Sequence, residues 1–181
     1  GDVADVVGQC ERWADDGFDV FKLKAGAGEA VELATAVRAA LGPEVGIRID
    51  ANGTWGERAA ALLGELEPVG IELVEEPVTG LPELAGLARG TSIPLVADES
   101  VNDTEESEAA ARLGACAAAT VKLSKIGGLD AGLGGQLPTY LSSALDGPVG
   151  IAAAAHVAQT LDPDRPWPGI AHGLATERLF N

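Results

Sequence analysis

A regular alternation of short apolar strand patterns with Ala- and Leu-rich helical patterns constrains this chain more than any other feature. Strands are predicted over seven segments: 18–24, 46–50, 70–75, 93–97, 118–123, 138–143 and 169–172. Helices are predicted over 2–16, 29–41, 54–66, 82–89, from 103 or 104 onward, 128–136 and 149–161. Thr54 is predicted to cap the third of these helices, and Asp103 or Thr104 the fifth. Strict alternation predicts a parallel sheet covered by helices, because parallel neighbours need a helical crossover between them. The chain is therefore predicted to be an α/β protein.

An ionisable residue stands at the end of each of five successive predicted strands: Lys24, Asp50, Glu75, Asp98 and Lys122. Successive members lie 26, 25, 23 and 24 residues apart, which is the length of one strand–helix unit. A ring of this kind is typical of the carboxyl-terminal face of a β/α barrel. An open doubly wound sheet would concentrate such groups at one switch point. We therefore predict a partial (β/α) TIM-like barrel of about seven strands.

The three acids of this set, Asp50, Glu75 and Asp98, come from three successive strands. Magnesium prefers oxygen ligands in near-octahedral geometry, usually a few carboxylates with water or substrate. A single acid at a strand end can simply be solvated, but three at one-unit spacing favour convergence on one ion. The sequence predicts a metal site that takes Mg²⁺, with Mn²⁺ as an alternative.

Lysines are predicted to flank this site. Lys22 and Lys24 share one face of their strand, because side chains alternate along a strand. A neighbouring lysine and a nearby metal both disfavour the charged form of Lys24, which makes it a candidate general base. Lys122 ends a strand four positions around the sheet from Lys24. The two lysines are thus predicted to face a metal-bound substrate from two sides, and surface ion pairs with the abundant acids are the alternative.

Four further residues are candidates for supporting the site or binding substrate. Asn52 follows a strand-end acid by two residues and shares its face, so it is expected to position a ligand or Lys24. Ser142 and Ser143 end another predicted strand. Gly150 lies at the start of the helix that follows, where backbone N–H groups can bind an anion. An ordinary turn is the alternative for this segment.

The charge of the chain limits its partners. Twelve basic and 28 acidic residues give a formal net charge of −16, which disfavours nucleic acid and anionic membrane surfaces as partners. The two cysteines, Cys10 and Cys116, are far apart and form no metal-binding pair, as expected for a cytoplasmic protein. The sequence gives no prediction of oligomeric state.

Five motifs carry a family resemblance: FKLKAG, RIDANGTW, LVEEPV, VADES and VKLSKIGGL, in this order. Together they resemble the enolase superfamily, and within it the muconate-lactonizing subgroup, which has a lysine on each side of its site. The later segment YLSSALDGPVGIAAAAH is similar to the o-succinylbenzoate synthase branch. The resemblance covers nearly the whole chain from about residue 18 onward.

The resemblance implies a role for each strand-end residue. Asp50, Glu75 and Asp98 would be the Mg²⁺ ligands, Lys24 the acid/base, and Lys122 its partner across the site. The implied reaction is removal of the proton alpha to a carboxylate, followed by syn loss of hydroxide. The implied partner is a small-molecule carboxylate, a succinyl hydroxycyclohexadiene carboxylate of menaquinone biosynthesis. For such an anion, lysines and a metal must make the pocket of a chain with net charge −16 locally positive.

Two alternatives to this dehydration stay open. N-acylamino-acid racemases and dipeptide epimerases share most of the motifs. The epimerases usually show Asp-x-Asp near the last strand; Asp162 and Asp164 have that spacing but precede the predicted strand, and are interpreted as loop. The third hypothesis is a non-catalytic, truncated barrel.

The resemblance also predicts the domain organisation. Members of the superfamily carry an amino-terminal capping domain and a barrel strand ahead of the strand that holds the two lysines. This chain begins in the helix before that strand. Residues 1–181 are therefore expected to form one incomplete barrel domain without the cap and first strand, cut after Asn181, and to show little activity by themselves.

Overall fold

The computed structural model describes residues 2–127, 137–161 and 170–180. The predicted helix over 128–136 and the Asp162–Asp164 pair lie outside the described residues. All other predicted strands and helices fall wholly or partly within them.

Six parallel strands form one sheet in which the spatial order equals the chain order. The strands are β1 (Val20–Lys24), β2 (Gly46–Asp50), β3 (Leu73–Glu75), β4 (Leu95–Ala97), β5 (Ala118–Val121) and β6 (Thr139–Leu141). The register sets Lys24 opposite Asp50 and Asp50 opposite Glu75. Because these paired residues lie at the same height in the sheet, the carboxyl ends of neighbouring strands form a common rim.

The sheet curls far enough for the inner faces of distant strands to meet. Tyr140 of β6 donates a hydrogen bond to Glu75 of β3, and Arg48 of β2 donates one to the carbonyl of Ala171, beyond β6. Neither contact is available in a flat sheet, where these strands would lie several strand spacings apart. The predicted partial barrel is confirmed.

The seventh predicted strand, over 169–172, is not formed by the described residues of that segment. The next residue, Gly173, makes an isolated parallel bridge with Ser142. His172 uses its side chain instead, with Nδ1 accepting a hydrogen bond of 3.0 Å from the backbone N–H of Leu141. A side-chain acceptor thus takes the place of a backbone carbonyl at this edge of β6.

Helices cover the outer face of the sheet: α1 (Val3–Asp15), α2 (Ala30–Leu41), α3 (Ala59–Leu66), α4 (Leu81–Ala88), α5 (Thr104–Leu113) and α6 (Pro148–Ala158). Asp103 caps α5 as predicted, accepting the N–H of Glu106 at 2.8 Å. The predicted cap of the third helix is wrong. The Thr54 hydroxyl donates to the Ala51 carbonyl, and a 3₁₀ turn, Gly56–Arg58, leads into α3. Within the described ranges, no helix has the length and apolar character needed to cross a membrane.

Strand alternation divides the buried side chains into two layers. Outward-facing residues such as Ile47 and Ile49 join the apolar core between sheet and helices. A small inner cluster fills the barrel beneath the rim, formed by Leu73, Val96, Ala118 and Tyr140. Above this apolar floor, the inner side chains at the strand ends are polar or charged.

Candidate metal centre

Asp50, Glu75 and Asp98 converge as the sequence predicts. Their side chains offer oxygen atoms that all lie within 4.8 Å of one another. All three residues are buried, with exposed fractions of 1%, 0% and 3%. Carboxylates held this close repel each other unless a positive charge lies between them. Three buried oxygen donors from rigid strands are the ligand set that a hard dication such as Mg²⁺ requires, so the residues fit this ion.

Lysines supply positive charge around this triad. Lys22 Nζ lies 3.0 and 3.1 Å from the two carboxylate oxygens of Glu75, and 3.4 Å from Asp50 Oδ2. Lys24 Nζ lies 3.1 Å from the same Asp50 oxygen, and Lys122 Nζ is in ion-pair contact with Asp98. Lys24 and Lys122 thus stand on β1 and directly after β5, on the two sides of the three strands that carry the acids.

The pKa values of the rim residues depend on burial and on these ion pairs, which act in opposite directions. Burial raises the pKa of Asp50, but Lys22 and Lys24 outweigh it and hold that pKa below its usual value. For Glu75, burial dominates and its pKa is raised, despite Lys22. Burial lowers the pKa of Lys22, yet the carboxylates of Glu75 and Asp50 more than compensate and leave it raised. Without a metal ion, Lys22 is therefore the charged counter-ion of the triad.

Asn52 holds Lys24 at the mouth of the barrel. Its side-chain oxygen accepts from Lys24 Nζ at 3.0 Å, while its amide donates to Glu99 at 3.2 Å. Its backbone adopts a positive φ of 45°, which asparagine tolerates better than most residues. The Lys24 side chain itself is 69% exposed, so its ammonium is available to a ligand entering the barrel.

The Glu76 side chain points away from the metal triad and supports it indirectly, through hydrogen bonds to the loop that begins at Asp98. Its carboxylate is buried and accepts the backbone N–H of Asp98 at 2.8 Å, the N–H of Ser100 at 3.3 Å and the hydroxyl of Ser100. These bonds fix the loop that begins at Asp98. Burial raises the pKa of Glu76, as expected for a carboxyl group enclosed in this way.

The candidates after β6 have local partners of their own. Ser142 is buried beside the Gly173 bridge, and Ser143 bonds the side chain and backbone of Asp146 in a tight turn. A Cβ atom at Gly150 would come within 2.8 Å of the Asp146 Cβ. Gly150 therefore makes room for Asp146, which gives this glycine a packing role distinct from the predicted approach of a ligand.

Sequence reasoning missed two residues inside the barrel, Arg48 and Tyr140. Arg48 is bound through two nitrogens to Glu72, at 2.9 Å each, and lies over the Tyr140 ring at 5.3 Å. The Tyr140 hydroxyl donates to Glu75 Oε2 at 2.5 Å. Burial and the Glu75 carboxylate raise the pKa of Tyr140 well above its usual value, so the phenol is a neutral donor. Side-chain alternation along a strand could have identified both residues, because each precedes a rim residue by two positions and therefore shares its face.

Comparison with known proteins agrees with this geometry. Residues 5–166 match the family described as Enolase C-terminal domain-like. An o-succinylbenzoate synthase of Thermobifida fusca (strain YX) is 36% identical over 178 residues, covering 93% of this chain and 55% of that relative. The chain therefore belongs to the enolase superfamily, and it spans about half the length of this curated relative.

Two solved structures place the fold within the same superfamily. A muconate cycloisomerase variant superposes with a TM-score of 0.86 at 27% identity, covering 97% of this chain and 52% of that one. A dipeptide epimerase from Cytophaga hutchinsonii, complexed with Mg and the dipeptide D-Ala-L-Val, gives a TM-score of 0.76 at 31% identity. That match covers 86% of this chain and 44% of the epimerase.

Proposed function

We propose that this chain is the barrel portion of an o-succinylbenzoate synthase-type dehydratase, a Mg²⁺-dependent carbon–oxygen lyase of menaquinone biosynthesis. One observation carries the proposal: a buried carboxylate triad with one lysine on each side, Lys24 and Lys122. The 36% identity to the Thermobifida fusca synthase supports this branch of the superfamily. We further propose a single barrel domain that works in the cytoplasm on a small carboxylate, with neither nucleic acid nor membrane as partner.

Asp50, Glu75 and Asp98 would hold the metal ion. When bound, Mg²⁺ supplies Lewis-acid stabilisation of the negative charge that develops on a substrate carboxylate. Lys22, which contacts Glu75 and Asp50, would help to balance the negative charge of the site. The same positive cluster would draw a polyanionic substrate into a chain whose net charge is −16.

Lys24 is proposed as the group that moves the proton. In its neutral form the amine takes the proton alpha to the carboxylate, and its electron pair forms the new N–H bond. The same ammonium is then the nearest acid for the departing hydroxyl, which leaves as water and restores the neutral amine. Asn52 and Asp50 orient the Lys24 nitrogen, at 3.0 and 3.1 Å, for both half-reactions.

Lys122 is proposed to act from the opposite side without moving a proton in the dehydration. Its side chain is 10% exposed and paired with Asp98, so its positive charge is fixed close to the triad. A fixed charge in a water-poor site stabilises developing negative charge without reorganisation. Ser142 and Ser143, after the sixth strand, are proposed to contact substrate from the far side of the barrel.

A second candidate function is a racemase or epimerase for N-acylated amino acids or dipeptides. It is favoured by the placement of Lys24 and Lys122 on opposite sides of the triad, since inversion at a carbon needs an acid on one face and a base on the other. The Cytophaga hutchinsonii epimerase, at 31% identity, is compatible with it. The two functions differ in the substrate turned over, so one pair of assays separates them.

The test uses this chain fused to the remaining segments of the Thermobifida fusca synthase, with the unfused chain in parallel. The assays follow loss of the diene's absorbance and racemisation of an N-succinylamino acid. We expect dehydration by the fusion and little by the chain itself. Lys24→Ala should lower dehydration about 10²–10⁴-fold, the usual contribution of a general base. Lys24→Arg should fail similarly, because a guanidinium stays protonated.

Lys125→Ala is the matched control, since Lys125 is an exposed lysine beyond the rim. It should leave turnover unchanged. Racemisation without dehydration would transfer the assignment to the second candidate. A folded, Mg²⁺-loaded fusion with neither activity would favour the non-catalytic hypothesis.

A further inference from the structure

Tyr140 ties the far side of the barrel to the central acid of the triad. It belongs to β6, is 1% exposed, and its hydroxyl lies 2.5 Å from Glu75 Oε2 on β3. Tyr140 packs with the apolar residues Leu73, Val96 and Ala118. A phenylalanine would fill this space equally well, so packing does not account for the hydroxyl.

We infer that Tyr140 is a positioning residue for the metal centre, and that its hydroxyl fixes the orientation in which Glu75 presents its carboxylate to the ion. The inference rests on the proposed metal site, and it adds a residue that contacts a ligand group without contacting the reacting atoms. Partners of this kind orient metal ligands, and their removal usually weakens metal binding 10–100-fold.

Lys22 alone cannot fix the orientation of the Glu75 carboxylate. Its ammonium lies at nearly equal distances, 3.0 and 3.1 Å, from both oxygens of Glu75, so it does not distinguish one from the other. It also carries the same sign of charge as the metal and competes with it for the carboxylate. The Tyr140 hydroxyl is neutral and bonds only one of the two Glu75 oxygens. It can therefore hold Glu75 in one orientation without cancelling the charge that attracts a cation.

The ring of Tyr140 is itself held in place. Arg48 lies 5.3 Å from the ring centre, in a cation–π contact. The guanidinium is anchored by two bonds of 2.9 Å to Glu72 and one of 2.7 Å to the Ala171 carbonyl. A side chain with two rotatable bonds, seated on an anchored cation, presents its hydroxyl at one fixed point.

The experiment measures metal binding to the 181-residue chain in the absence of substrate. Calorimetry with Mg²⁺, and electron paramagnetic resonance with Mn²⁺, give dissociation constants for the unsubstituted chain and for Tyr140→Phe. We expect Tyr140→Phe to bind either ion 10–100-fold more weakly. The matched control is Thr160→Val, which removes a hydroxyl bonded to the Val157 carbonyl in another part of the fold and should not change the affinity.

A second measurement needs no substitution. Tyr140 is the only tyrosine of the chain, so selective ¹³Cζ labelling gives one resonance that needs no assignment. If its hydroxyl bonds a metal ligand, this resonance should shift on Mg²⁺ addition and saturate at the calorimetric dissociation constant.

Each outcome separates the inference from the proposed function. Unchanged affinity in Tyr140→Phe, or a resonance that stays fixed while Mg²⁺ binds, overturns the role of Tyr140 and leaves the metal site intact. Failure of the unsubstituted chain to bind either ion overturns both.

Discussion

Two layers of buried charge lie inside the same barrel, and they are built differently. In the lower layer one cation, Arg48, meets one anion, Glu72, and three of its nitrogens donate at 2.7–2.9 Å. In the upper layer three carboxylates on fixed strands face lysines on long, flexible side chains. The acids of the upper layer and the cation of the lower layer are buried. What distinguishes the upper layer is that two of its cations, Lys22 and Lys24, are partly or largely exposed, whereas the lower cation, Arg48, is enclosed.

The sharpest way to break this comparison is to remove an acid from the upper layer. Asp98→Asn should weaken Mg²⁺ binding by more than about 100-fold, because losing a ligand should exceed the cost of losing a supporting partner. Calorimetry on the folded chain measures the effect. An unchanged affinity would show that the ion, if bound, lies elsewhere.

Removing the acid of the lower layer should act on stability instead. Glu72→Gln leaves the Arg48 guanidinium, 3% exposed, with the Ala171 carbonyl but without its counter-ion. We expect a loss of about 2 kcal/mol in the free energy of unfolding, below the value for fully buried pairs because Glu72 is partly exposed. Urea unfolding measures it, and Mg²⁺ affinity should change only a few-fold. A large loss of affinity with intact stability would contradict the division into two layers.

Without added metal, the free energy of unfolding should depend on pH, because the carboxyl groups of the upper layer are buried close together. The pKa of Glu75 is raised above its usual 4.5, so the unfolded chain releases this proton first as pH rises. Stability should therefore fall as pH rises from 4.5 through the folded pKa. Glu75→Gln should remove that part of the slope. Saturating Mg²⁺ should remove the fall in the unsubstituted chain, because the metal binds the ionised form.

The same experiment tests the direction of the pKa shift of the neighbouring acid, Asp50. The pKa of Asp50 is lowered below 3.8, so its contribution to stability should be complete above that value and lost as pH falls further. Denaturant unfolding in a chelator between pH 3 and 7 covers both windows. A metal-free chain whose stability rises steadily from pH 4.5 to 7 would contradict the raised pKa of Glu75.

An exposed ion pair provides the smallest effect. Glu108 and Arg112 are one helical turn apart on α5, 3.6 Å from each other, and their side chains are 46% and 65% exposed. Glu108→Gln removes the same unit of charge as Glu72→Gln, but should change the free energy of unfolding by only about 0.3–0.5 kcal/mol. Thermal melts at low and high salt test this value. A loss comparable to that of Glu72→Gln would mean that net charge, and not the buried pair, controls stability.

The triad was predictable from the sequence because each acid stands at the end of its own strand. Strand ends of a parallel barrel share one face, so spacing along the chain was sufficient to bring Asp50, Glu75 and Asp98 together. The same logic placed Lys24 and Lys122 on the two sides. The structure agrees with these positions, and the roles of the residues stay predictions.

The residues that support the triad could not be predicted in the same way. The Tyr140–Glu75 bond joins β6 to β3 across the barrel, and its existence depends on how tightly the sheet curls. Side-chain alternation along the strand could have indicated which face Tyr140 occupies, but not its partner. Similarly, Thr54 resembled a helix cap, but a nearby carbonyl, that of Ala51, competes for its hydroxyl.

The chain-order pairing of the strands has a consequence for the order in which the site is built. Every strand of the described residues pairs with the next one along the chain, so the sheet can grow strand by strand as the chain is made. All three acids are present once residue 98 has been made, whereas Lys122 and Tyr140 arrive later. A nascent chain thus carries the acidic cluster before the residues that neutralise and orient it, and Lys22, made earliest, is the first counter-charge available to it.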